Sequence, residues 1–131
     1  MKKIIVSDYT LKELCTKDGS QLLFREKLSV ALSISRYGAD VIELPPVKKA
    51  TEDSVVYKTI SESVKNSKIL IPVGITGESV KIAAECVKSA LHPVLQVSLP
   101  VSTVQMEYMY RLKGPKMVET IKTLVSMCRS Y

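Results

Sequence analysis

The sequence predicts an α/β domain of four β-α units around a parallel sheet. Short apolar, β-branched runs begin near residues 3, 40, 68 and 93, and each leads on to an amphipathic stretch. The starts lie roughly thirty residues apart. Strict alternation of strand and helix calls for parallel strands joined by right-handed crossovers.

The first strand is Lys3-Ile4-Ile5-Val6-Ser7, a continuous run of the kind buried on both faces, and Asp8 ends it. A polar stretch over residues 9–21 follows, closing on the turn signal Asp18-Gly19-Ser20. A helix is predicted over residues 22–37, with Leu28, Ala31, Leu32 and Ser35 on one face. Gly38 stands where a helix end favours positive φ. The second strand spans residues 40–44 and is stopped by Pro45-Pro46. The second helix covers residues 51–65, with Val56, Ile60 and Val64 inward, Thr51 as cap and two acids in the first turn. The third strand covers residues 68–73 and carries Pro72, which cannot donate to a ladder. Gly74-Ile75-Thr76-Gly77 leads into a helix over residues 78–91, with Val80, Ala83, Ala84 and Val87 inward. The fourth strand covers residues 93–99, and a longer segment, 100–113, crosses to the last helix, 115–129. Pro115 suits its first turn, and Val118, Ile121, Leu124, Val125 and Cys128 form its stripe.

Composition narrows the function classes. The chain has 131 residues, 46% apolar and 24% charged, ordinary for one globular domain. No apolar run approaches the ~18 residues of a membrane span, and the N-terminal run is too short for a signal peptide. A cytoplasmic protein with no membrane partner is expected. The three cysteines are widely spaced and form no CxxC, so reduced thiols are expected rather than disulfides or a zinc site. The net charge is +6, but the lysines are scattered, with no Trp and a single Phe. A solvated basic surface is expected rather than a nucleic-acid interface. A patch that meets phosphate, such as a coenzyme A tail, or an acidic partner is the remaining use of that charge.

An eight-unit TIM-type barrel needs about 250 residues, and this chain has half of that. The expected fold is therefore half of such a barrel, with no linker or low-complexity segment. Four parallel strands leave two open edges, which strands apolar on both faces should not expose to water. Either helices cover both faces of a flat sheet, or the edges meet another chain. Self-association into a closed ring and a separate chain carrying four more units are the two forms of the second answer.

Particular residues carry a resemblance. Asp8-Tyr9-Thr10-Leu11 ends the first strand, Arg25-Glu26-Lys27-Leu28 opens a helix, and Gly38-Ala39-Asp40-Val41-Ile42-Glu43 leads through the second strand. Val101-Ser102-Thr103-Val104-Gln105-Met106-Glu107-Tyr108 follows the fourth strand. These are similar to the D-T-T-L-R-D-G-x-Q, R-E-E-K-L, G-V-D-x-I-E and S-D-x-H-x-x-Y motifs of the pyruvate carboxyltransferase-like barrel family. That family includes isopropylmalate, homocitrate and citramalate synthases and 3-hydroxy-3-methylglutaryl-CoA lyase. The resemblance spans nearly the whole chain and ends where the family's fifth strand would begin.

The resemblance implies the chemistry of an acyl-CoA Claisen-type synthase or the related lyase. In the family a divalent metal holds a 2-oxo acid or hydroxy-acyl group and an arginine steadies the enolate. Counted without gaps from Asp8, the family's arginine falls on Lys12 and its metal-binding aspartate on Glu13. Its glycine becomes Leu14, its glutamine Thr16 and its histidine Gln105. Lys17-Asp18-Gly19 looks like a displaced R-D-G, but using it spoils the later register. The implied roles are metal contact for Glu13, anion contact for Lys12 and substrate contact for Glu43. Asp8, Thr76, Ser102 and Gln105 fall at the same strand ends and are candidate substrate contacts. The family's H-x-H metal pair lies in the half that is missing, and His92 precedes a strand instead of following one. One copy of the chain is thus expected to lack a complete divalent-metal site and to be inactive alone.

Each candidate also has a structural role open to it. Glu43 can belong to a salt bridge, Asp8 can cap the turn that follows it, and residues 74–77 can be a simple turn rather than a phosphate cradle. Met106-Glu107-Tyr108-Met109-Tyr110 suits either a partner surface or a packed crossover. A half-barrel that has lost its catalytic groups and serves as a binding or scaffolding subunit is the alternative function. A flavodoxin-like or response-regulator-like domain shares the alternation but normally has five strands.

Overall fold

A computed structural model describes residues 3–16 and 22–131. The elements are β1 (Ser7–Asp8), α1 (Thr10–Thr16), α2 (Phe24–Arg36), β2 (Val41–Glu43), α3 (Ala50–Ser63) and β3 (Lys68–Val73). Then come α4 (Gly77–Val87), β4 (Pro93–Val97), α5 (Thr103–Gln105), a π-helical turn (Met106–Tyr110) and α6 (Gly114–Arg129). The four strands form one parallel sheet in the order β1-β2-β3-β4. This in-order winding is that of a barrel segment, so the half-barrel expectation holds. A flavodoxin-like sheet would interleave its strands as 2-1-3-4-5.

The helices cover one face of the sheet. Ile42, Leu44, Ile69 and Ile71 are fully buried and share a core with Leu11 of α1, Ala31 and Ile34 of α2, Tyr57 and Ile60 of α3, and Ala83 and Val87 of α4. The opposite face carries Val41, Glu43, Leu70, Pro72, Val94 and Gln96, half-buried and outside that core. The doubly wound alternative is thereby set aside.

Local chemistry explains the boundaries. Gly38 closes α2 with φ of 91°, a value that L side chains rarely adopt. Asp53 reaches back from the first turn of α3 to accept from the Lys48 and Lys49 N–H groups, both at 2.8 Å. The helix therefore starts at Ala50, and Asp53 does the work expected of Thr51. Thr76 caps α4, its hydroxyl accepting from Ser79 N–H at 3.2 Å. In β3 the Lys68 N–H and the Leu70 carbonyl point toward β2. By alternation Pro72 points the same way, past the end of β2, so its missing N–H breaks no ladder bond.

Three expectations need correction. The first strand is paired only at Ser7 and Asp8, and Ile4, Ile5 and Val6 are 82%, 62% and 54% exposed. Their backbone is held on one side only, where Val6 N–H donates to Asp40 and the Val6 carbonyl accepts from Val41. Residues 10–16, read as polar connection, form α1, anchored by the buried Leu11. On α6, Val118 is exposed and Met117 is buried in its place. The helix is turned toward α4, where Met127 lies over Gly77. The turn signal at 18–20 and the alternative motif at Lys17-Asp18-Gly19 lie outside the described residues.

Candidate functional site

The sheet brings Lys12 and Glu43 together, two residues thirty-one positions apart in the chain. Ser7 pairs with Val41 in the parallel register, so Glu43, two residues on, faces the same open side of the sheet as Ser7. The Ser7 hydroxyl donates to Glu43 Oε1 at 2.8 Å. Lys12, in the first turn of α1, donates to Glu43 Oε2 at 3.1 Å. Both charged side chains are only 16% exposed. The Lys12 ammonium also lies 4.8 Å from the centre of the Tyr9 ring, within cation–π range. Glu43 thus has one partner on each oxygen.

Lys12 stays available for an anion. An ammonium has three donors, one of which is directed at Glu43. The cation stands in a partly desolvated setting, where charge–charge contacts gain strength. Glu43 holds the ammonium in position and offsets its charge.

The other candidates are placed differently. The Asp8 carboxylate accepts from Thr10 N–H at 2.9 Å and so opens α1. Thr76 is engaged in capping α4. Ser102 stands at the N-terminus of α5 and Gln105 at its end, both exposed. Glu13 is an exposed residue of α1. Among the described residues no three His, Cys, Asp or Glu side chains stand close enough together to hold a metal ion. Glu43 is already matched to a lysine, and His92 lies at the opposite end of β4 with its carbonyl taken by Ile69 N–H. The described side chains do not by themselves fit a divalent-metal centre.

Sequence reasoning missed Ser7 and Tyr9. Both were legible: Ser7 is the polar residue that follows the apolar run Ile4-Ile5-Val6, and Tyr9 lies three positions before Lys12. The cysteines are all free thiols. Burial pushes the Cys15, Cys86 and Cys128 thiols up, away from ionisation. No helix among the described residues is long and apolar enough to cross a membrane.

The chain is 32% identical over 119 residues to a 2-isopropylmalate synthase of Shouchella clausii, covering 91% of this chain and 23% of that protein. It is 30% identical over 119 residues to the 2-isopropylmalate synthase of Halalkalibacterium halodurans, with the same shares of each chain covered. With the enzyme of that name from Oceanobacillus iheyensis it shares 28% over 131 residues, 98% of this chain and 25% of that one. The chain therefore spans about a quarter of the length of the curated relatives it matches. The family model described as HMGL-like matches residues 3–131, and the chain belongs to the HMGL-like family.

Proposed function

We propose that this chain supplies the N-terminal half of an active site that condenses an acyl-CoA with a 2-oxo acid in the cytoplasm. A further set of β-α units completes the site. The observation that carries the reading is the Lys12–Glu43 pair, half-buried at the carboxyl ends of the strands where sites of such folds gather. The 2-isopropylmalate synthase relatives supply the reaction class.

In this reading Lys12 receives the carboxylate of the 2-oxo acid or the enolate oxygen of the acyl group. Glu43 fixes the ammonium, and Ser7 fixes Glu43. Lys12 keeps the charge of the family's arginine but not its planar fork, so it grips one oxygen where a guanidinium grips two. A divalent ion, where the completed site holds one, draws its ligands chiefly from outside this chain.

The test is complementation. The chain is mixed with the separately expressed remainder of the barrel from a 2-isopropylmalate synthase, and release of coenzyme A thiol is followed with acyl-CoA, 2-oxo acid and divalent metal. The chain alone is expected to release none. The mixture is expected to turn over, and Lys12→Met to lower its rate by about 10²-fold, as for loss of one charge-stabilising donor. Turnover by the isolated chain at the rate of a whole synthase refutes the half-site reading, and an unchanged rate in Lys12→Met refutes the role of the pair.

One set of observations favours a second reading, a non-catalytic binding subunit. Glu13 is exposed, and Lys12, Leu14 and Gln105 replace the family's arginine, glycine and histidine. In that case the complemented mixture binds 2-oxo acid in calorimetry but releases no thiol.

A further inference from the structure

We infer that the groove along the free edge of β4 takes the N-terminal strand of a second copy of this chain, so that two half-barrels close each other into one eight-stranded ring. This rests on the reading that the chain is half of a barrel; the second copy closes the open sheet edges but repeats the same residues, so the ring alone is expected to release no thiol.

The groove has a volume of about 770 Å³ and lies between α4, β4 and α6. Pro93, Leu95 and Val97 line its floor, Val87, Val125 and Cys128 line its walls, and Glu85, Lys88 and Arg129 also border it. β4 pairs with β3 on one side alone, so its outer edge is an open ladder. An extended apolar segment is what such a floor and edge accept.

The chain displays one such segment. Ile4-Ile5-Val6 precedes β1, β-branched throughout and exposed, and among the described residues its backbone bonds run toward β2. Alternation extended back from Ser7 puts Ile5 on the open face with Val41 and Glu43, and Ile4 and Val6 on the helix-covered face. In a strand beside β4 of another copy, Ile4 and Val6 enter the groove beneath α6 while Ile5 joins Leu70 and Val94 on the open face. A strand apolar on both sides is made for that two-layered place.

Geometry and area support closure by two. All four strands run parallel in chain order, so the β1 edge and the β4 edge are complementary rather than alike. A two-fold axis along the centre of the curved sheet joins each β4 to the other copy's β1 and leaves no free edge. Eight strands are the number whose interior is just filled by side chains. A five-residue seam is roughly 17 Å long and, with one helix layer, about 20 Å deep. Two such seams bury on the order of 1,400 Å² in all, within the range of stable specific interfaces. The completed ring sets two Lys12–Glu43 pairs around one mouth.

Light scattering of the purified chain over a concentration series tests this, with Ile4→Asp and Val125→Glu altering opposite sides of the seam. Both residues lie outside the Lys12–Glu43 site. The expected result is a species of twice the 14.5 kDa chain mass, its dissociation constant raised at least 100-fold by either substitution while far-UV circular dichroism is unchanged. A monomer at every concentration overturns the inference. So does a dimer indifferent to both substitutions, which uses another surface. A monomer that binds and is activated by the separate C-terminal half overturns the second copy but leaves the proposed function standing. A dimer that yields no activity with any complement leaves the ring and removes the function.

Discussion

The Lys12–Glu43 pair should be energetically coupled, and a double-mutant cycle measures the coupling. Lys12→Met keeps an unbranched apolar stem, one atom shorter, and removes the charge. It leaves the Glu43 carboxylate, 16% exposed, with Ser7 as its remaining described partner. Exposed ion pairs contribute about 0–1 kcal/mol, and hydrogen bonds to charged groups about 1.5–3 kcal/mol. The depth of this pair places it toward the second range, discounted for the solvent that still reaches it. The expected cost is about 2 kcal/mol for Lys12→Met, since an unmatched carboxylate is left behind. For Glu43→Gln it is about 1 kcal/mol, since the amide oxygen still accepts. The double variant should fall short of the sum by about 1.5 kcal/mol. Urea unfolding followed by circular dichroism reads each value, with the denaturant slope unchanged because the exposed surface is the same. Most of the coupling should survive 1 M salt, roughly a 3 Å Debye length, because a half-buried pair at 3.1 Å is screened far less than a surface one. A coupling below about 0.5 kcal/mol, the error of additivity between independent sites, would refute the claim that the mouth is organised around these two charges.

Two further predictions follow from single residues. Gly38→Ala should cost about 1–2 kcal/mol in thermal or urea unfolding, purely through its φ of 91°, because an added Cβ meets no atom within 4 Å. Stability should also fall in alkali through Tyr57. Burial and the nearby Asp53 carboxylate hold its phenol well above its ordinary value of 10.0, so its contribution is intact below about pH 10 and is lost as pH rises beyond it. Tyr57→Phe should flatten that decline, and an unchanged alkaline limb would count against the assignment.

The middle of the fold was legible because each signal there was local and its partner lay in the same chain. Ile69 and Ile71 sit in an apolar run between two paired neighbours, and Val80, Ala83, Ala84 and Val87 recur at helical spacing and are all buried. The ends were less legible, for one physical reason. Ile4-Ile5-Val6 reads as a buried strand and would be one beside a neighbour, but no described strand pairs with that edge. Residues 10–16 hid a helix because only Leu11 is fully buried, and a single anchor makes a weak period. The segment after β4 hid a π-helical turn, ended by Arg111 in the left-handed region, which no hydrophobic pattern announces. At the site, Lys12 and Glu43 were legible through their resemblance to family positions. Their pairing was not, because it depends on the register of β1 on β2.

The in-order sheet also bears on how the chain is assembled. Every strand pairs with the strand next to it in sequence, so each β-α unit has its docking surface completed by the unit made just before it. Contacts of short sequence separation favour rapid folding, and synthesis from the N-terminus presents the units in the same succession. Folding can therefore advance by accretion, one unit at a time, without waiting for a distant strand to return. The same linear arrangement makes the inner units the last to open, held on both flanks, while the outermost strands fray first.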